Sequence, residues 1–266
     1  MRTFSLKKGL CRLLLISGSI ILSTGCNRSP KQLFTYHLAL TLSEKISDNN
    51  RILLLQFHSN DFAEKVAFKL QNKVLKKGHD IKLNLYNTPD TPPSNTPLET
   101  TVRIGNLENG IYNLSVKLKD RSVPGKLTVS DKAYNLKLEK DTSITVTENT
   151  LNKIPLNSIF GRIHYYSSTA IPTINNFLQD LKKAGASIQT YYPGNYGMFF
   201  ITDNGEIEQK PDKGYPFTKN FIYQYTGDTQ KLKELVRQYS LSYTTELLIT
   251  LRTYDGDLIN IWSFDK

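Results

Sequence analysis

An α+β fold is what this sequence predicts, and three patterns carry the prediction. Ile52–Phe57 is almost continuously apolar, as a strand covered on both faces reads, and a segment of helical spacing follows it. Residues 101–147 alternate apolar and polar side chains between turn residues. Beyond Pro155, strand-like runs alternate with two further segments of helical spacing.

Leu33–Ile46 predicts a helix, since Leu38, Leu42 and Ile46 recur four apart and Ser47-Asp48-Asn49-Asn50 closes the run. After the strand at Ile52–Phe57, Ser59-Asn60-Asp61 suits an N-cap. Ala63, Val66, Ala67, Leu70 and Val74 then share a helical face, and Gly78 supplies the stop. Ile81, Leu83 and Leu85 alternate as the next strand, which completes a β-α-β unit with a right-handed parallel crossover. Thr88–Pro97 holds Pro89, Pro92, Pro93 and Pro97 and reads as a loop.

Antiparallel hairpins follow. Tyr112, Leu114, Val116 and Leu118 alternate, as do Leu127 with Val129, Tyr134 with Leu136 and Leu138, and Ile144 with Val146. After Pro155, strands are expected at 159–166, 187–192, 196–202 and 221–225, and helices at 172–184 and 228–239. A hairpin on Asp255-Gly256 joins strands at 246–254 and 258–264. Strands in one sheet with two helices on one face make this C-terminal part an α+β sandwich, loosely ferredoxin-like.

With 266 residues, 39% apolar and 22% charged, the chain suits one large or two ordinary domains. A disulfide-stapled miniprotein, a multi-span membrane protein and a disordered chain are excluded. The net charge of +10 is unevenly placed. Residues 26–155 carry 19 basic and 13 acidic side chains, and 156–266 carry 11 of each. Basic character therefore belongs to the N-terminal part, and the overall charge is no argument for nucleic acid as a partner.

The first residues read as an address. Met1–Arg12 is basic, Leu13–Leu22 is an apolar run, and Ser23-Thr24-Gly25-Cys26 follows. Ten helical residues span about 15 Å, roughly half a bilayer core, which is short for a transmembrane helix. Cys11 and Cys26 are the chain's two cysteines, so the exported part has no internal disulfide. This leader resembles that of the bacterial lipoprotein class, whose lipobox is an apolar-to-small stretch ending in Cys. Ser23 stands where that class usually has Leu. The resemblance implies that Cys26 is lipidated and becomes the new N-terminus, in the cell envelope. Asn27 after it favours the outer membrane, facing the periplasm, in a diderm organism. The expected layout is a signal peptide at 1–25, a lipidated tether at 26–32, an N-terminal lobe at 33–155 and a C-terminal aromatic-rich α+β domain at 156–266.

Motifs for chemistry are scarce. Neither G-x-G-x-x-G nor G-x-x-x-x-G-K-[ST] occurs, so no nucleotide cofactor is expected. His37, His58, His79 and His164 are dispersed, without cysteine beside them, so no metal is expected either. His58 with Asp61, or His164 with a remote carboxylate, makes an acid–base pair only through the fold. Glu206/Glu208 and Asp255/Asp257 lie in turn-like sequence and read as turn formers.

Two features stand out. Lys65, Lys69, Lys73 and Lys76 fall on one ridge of the helix expected there, a candidate membrane-facing surface for anionic headgroups. The same spacing is also that of a solvated helix face. Residues 157–266 hold 19 of the 28 aromatics, and Tyr191, Tyr192 and Tyr196 cluster in one turn as candidate ligand-binding residues. Strands also favour Tyr and Phe for packing alone. The first expectation is a non-catalytic envelope lipoprotein, a scaffold or a component that binds an envelope protein partner. The second is a glycan-, peptidoglycan- or peptide-binding module using the aromatic lobe. A hydrolase built from dispersed groups comes third, with no catalytic residue to name.

Overall fold

Residues 37–47, 50–59, 66–94, 97–208, 215–243 and 245–261 are described by the computed structural model, and most of them are strand. The α+β class expected from the sequence is not what forms, because the described residues are 56% strand and 16% helix. Among the described residues there are two α-helices, both beyond Pro155. Thr35–Lys266 is a compact unit by itself.

Its N-terminal part runs β1 (Leu38–Ser47), β2 (Asn50–Ser59), β3 (Val66–Lys77), β4 (Asp80–Ser94), β5 (Glu99–Gly105), β6 (Gly110–Leu118), β7 (Arg121–Val129), β8 (Ala133–Leu138), β9 (Ile144–Val146) and β10 (Thr150–Asn152). These make two sheets, ordered β5-β2-β1-β9 and β10-β8-β7-β6-β4-β3. All pairs are antiparallel except β1 with β9 and β4 with β6.

Where they are described, both helices expected in this part are strands; 33–36 and 60–65 lie outside the described residues. A spacing of four keeps residues on one face of a helix and of a strand alike, because four is even. Leu40 decides the first case: it is buried together with Leu38 and Leu42, whereas a helix would turn it away. In the second, Leu70 is buried while Lys69 and Gln71 beside it are exposed. β3 instead pairs with β4 from Phe68 opposite Pro89 to Lys77 opposite Asp80. Gly78, with φ +56°, turns that hairpin rather than stopping a helix. The expected β-α-β crossover is therefore absent, and β2 and β4 lie in different sheets. β4 also continues through Pro89, where a loop was expected.

The two sheets bury their inner faces. Leu40, Leu53, Leu55 and Phe57 from one, and Ile81, Leu85, Val116 and Leu136 from the other, are each at most 1% exposed. Burial of one such side chain contributes ~1.5–3 kcal/mol. At the margin, Asn72 Nδ2 on β3 donates to Thr100 Oγ1 on β5 at 2.7 Å, joining the edges of the two sheets.

Beyond Pro155 come β11 (Ser158–Tyr165), α1 (Ile171–Lys183), β12 (Ala186–Ser187), β13 (Gly194–Asn195), β14 (Phe200–Ile201), β15 (Ile207–Glu208), β16 (Phe217–Tyr225), α2 (Thr229–Ser242), β17 (Leu247–Thr253) and β18 (Leu258–Asn260). An antiparallel sheet has the order β12-β16-β11-β17-β18, and β13-β14-β15 form a small sheet of their own. Asp228 caps α2 by accepting from the Gln230 N–H at 2.8 Å, and Pro172 opens the first turn of α1. Ile174, Phe177 and Leu181 of α1 and Leu232, Val236 and Tyr239 of α2 pack on Ile159, Ile163, Ile249 and Leu251 of the sheet. A separate cluster of Ile46, Ile154, Phe160, Tyr191, Tyr196, Phe199 and Ile201 uses residues from both sides of Pro155. No helix among the described residues is long and apolar enough to cross a membrane.

Candidate functional site

Alternation along β11 and β17 sets the site. Ile159 and Ile163, and Leu247, Ile249 and Leu251, point toward the helices. Phe160 and Arg162, and Thr250 and Arg252, therefore lie on the opposite face. Phe160 stands across from Arg252 and Arg162 across from Thr250, so the two arginines are diagonal neighbours. Such positions are about 7–8 Å apart at Cα. Gly161 between them is required by space, since a Cβ there would meet the Thr250 carbonyl oxygen at 2.2 Å.

The small sheet sits over part of this face. Phe199 packs on Phe160 with ring centroids 4.8 Å apart, and Tyr196 stacks on Phe199 at 4.8 Å. Between the sheets remains a cleft of about 700 Å³ lined by Glu148, Arg162, Asn195, Glu208, Thr250 and Arg252, with Met198 and Phe200 among its apolar residues. Asn195 Nδ2 donates to the Glu148 carboxylate, and Asn195 Oδ1 accepts from the Gly197 N–H at 2.6 Å. That wall is pre-organised. Arg252 is half-buried, and among the described residues its guanidinium has no hydrogen bond or ion pair. Met198 and Phe200 are 37% and 44% exposed. Two guanidiniums on one sheet face can hold carboxylates in bidentate fashion, and a flexible thioether beside a ring gives adaptable apolar contact. No group of three metal-ligating side chains occurs among the described residues.

The three candidate tyrosines do not form one ligand face. Tyr191 is buried, its hydroxyl shares a 3.1 Å hydrogen bond with Ser158 Oγ, and burial pushes its phenol up. Tyr196 is also buried, donates to the Tyr192 carbonyl at 3.0 Å, and is pushed up by burial. Tyr192 is 61% exposed. Lys132 Nζ donates to its hydroxyl at 2.9 Å, which lowers that phenol's pKa.

Of the candidate membrane-facing lysines, Lys65 lies outside the described residues, as does Cys26. The helical ridge does not exist, because this segment is β3. Lys69 and Lys73 share the outward face of that strand, whereas Lys76 has the opposite parity and donates to the Asn106 carbonyl at 3.2 Å. The strand register gathers lysines that no local spacing announced. Lys69, Lys73 and Lys77 of β3, Lys82 of β4, Lys117 of β6, Lys126 of β7 and Lys137 of β8 all lie on the outer face of the six-stranded sheet.

The histidines stay dispersed. His37 Nδ1 meets the Thr142 carbonyl at 2.9 Å, and His79 Nδ1 meets that of Ile111 at 3.1 Å. His58 is half-buried on β2, and its possible partner Asp61 lies outside the described residues. His164 is buried, with Nδ1 2.8 Å from Thr218 Oγ1 and its ring stacked on Tyr215 at 4.3 Å. Sequence reasoning missed Arg162, Arg252 and Glu148. The available signal was an arginine inside each of two largely apolar strand runs, Ile159–Ile163 and Leu247–Thr253. The chain matches no protein-family model, no curated protein and no solved structure.

Proposed function

We propose that this protein is a non-catalytic, lipid-anchored binding component of the bacterial envelope, and that its cleft takes an extended peptide segment of an envelope partner. Arg252 carries the reading: a half-buried guanidinium without a partner among the described residues, diagonal to Arg162 above an aromatic floor. Paired guanidiniums fit the carboxylates of acidic side chains or of a chain terminus. Glu148 and Glu208 supply acceptors for the peptide's N–H groups or basic side chains. Burial of Tyr191 and Tyr196 removes the tyrosine platform that a glycan would need, which favours peptide over sugar. The anchor rests on the lipobox ending at Cys26.

A peptide array with and without acidic residues tests the ligand class. Binding should require carboxylates in the peptide and should be lost in the double variant Arg162→Ala/Arg252→Ala with the melting transition kept. Equal binding of the double variant, or indifference to peptide charge, would contradict the reading.

A further inference from the structure

The outer face of the six-stranded sheet lies apart from the cleft and has the marks of a second binding surface. Among the outward strand positions whose side chains are described, Asp80 is the one acid, and its Oδ1 accepts from Asn113 Nδ2 at 2.9 Å; exposed Glu139 follows directly after β8. Lys126 and Lys137 stand directly opposite one another on β7 and β8. Like charges so placed destabilise a sheet, so this arrangement costs folding stability. Both line a depression of about 560 Å³ whose other charged residues are Lys82, Asp80 and Glu139, so three lysines there face two carboxylates. We infer that this face docks on a bilayer surface rich in anionic phospholipid, with lipid phosphates in the depression among Lys82, Lys126 and Lys137.

Three observations favour a bilayer over another polyanion. Leu75, Ile111 and Tyr86 are 60%, 61% and 42% exposed on the same face, and such side chains suit the boundary between headgroups and acyl chains. Among the described residues no outward position of this face is an arginine, and base readout or stacking on nucleic acid relies on Arg and aromatic rows. Lysine is a point charge on a long apolar stem, which matches headgroups without demanding geometry. The chain from Cys26 to His37 reaches at most about 40 Å, so an anchored molecule stays beside the membrane. The inference shares with the proposed function only that placement, and its test omits Cys26 so that the two can fail separately.

The protein for the test is the compact unit Thr35–Lys266, and the probes are phosphatidylcholine vesicles with and without phosphatidylglycerol. The unit should sediment with the anionic vesicles alone and be released by high salt. Lys137→Gln should weaken binding about fivefold, and Lys82→Gln/Lys126→Gln/Lys137→Gln together by about two orders of magnitude. The melting temperature should hold or rise as the Lys126–Lys137 repulsion is relieved, so lost binding cannot be put down to lost folding. Equal binding to both vesicle types would overturn the inference. So would undiminished binding by the folded triple variant, or tighter binding of single-stranded DNA than of anionic vesicles.

Discussion

The Tyr134 hydroxyl donates a 3.0 Å hydrogen bond to Glu44 Oε1, tying the six-stranded sheet to the four-stranded one. Glu44 is held from its other side by Arg51 Nη1 at 2.7 Å, and its side chain is 1% exposed. Arg51 also donates to the Ile154 carbonyl, at the start of the connection into the C-terminal part. Burial, then the neighbouring Glu44 charge, pushes the Tyr134 phenol far up, so it stays a donor. Tyr134→Phe should cost ~1.5–3 kcal/mol, the worth of a hydrogen bond to a charged group. Glu44→Ala should cost more, ~3–5 kcal/mol, because it leaves a largely buried guanidinium with no carboxylate and also removes the Tyr134 acceptor. Urea unfolding of the three proteins checks the order, and a Glu44→Ala loss smaller than that of Tyr134→Phe would contradict it.

The clustered tyrosines should separate by burial. Tyr196→Ala removes a ring stacked on Phe199 and should destabilise by ~3–5 kcal/mol. Tyr192→Ala changes an exposed side chain and should stay within about 0.5 kcal/mol. Thermal melts of the two variants decide it; similar losses for both would mean that the exposed ring carries packing too.

What could be read from the sequence was local. The alternation Tyr112, Leu114, Val116, Leu118 is the inner face of β6, and Leu232, Val236 and Tyr239 behind the Asp228 cap are the buried stripe of α2. The triplet Leu38, Leu42, Ile46 was ambiguous, since an even spacing satisfies both periods, and pairing with β2 along the whole strand settled it. Arg162 and Arg252 stand 90 residues apart in sequence, and only the register of β11 on β17 makes them neighbours. The lysine face of the large sheet has the same origin: one parity on five strands, invisible until their order is known.

The contact between the helices gives a pH signature. Tyr239 donates to Asp180 Oδ2 at 2.7 Å, and burial followed by that hydrogen bond pushes its phenol from 10.0 up to about 12. The protonated phenol is favoured by the fold, so its stabilisation is complete below pH 10.0 and is lost as pH rises toward about 12. Asp180 is held below its ordinary 3.8 by hydrogen bonds from Lys183 and Tyr239, so its share is present above that value and disappears in acid. Melting temperature should therefore fall more steeply above pH 10.0 in the wild type than in Tyr239→Phe. Parallel alkaline slopes in the two proteins would show that this phenol does not report on folding.

Lipid attachment at Cys26 should hold the protein on membranes through high-salt washing, because screening acts on lysine–headgroup attraction and not on acyl burial. Cys26→Ala should give an unmodified precursor retaining its leader. Mass spectrometry of the N-terminal peptide reads both outcomes, and an unacylated Cys26 in the wild type would remove the anchor.

Site-specific photocrosslinking in the native envelope tests the binding cleft most directly. A photoreactive residue at position 200, beside the two guanidiniums, is compared with one at position 188, where Ile188 is 78% exposed and away from the cleft. The cleft reading predicts a discrete adduct from position 200, absent from position 188 and lost when Arg252→Glu is added. An adduct pattern identical at the two positions, or one at 200 that survives Arg252→Glu, would contradict it.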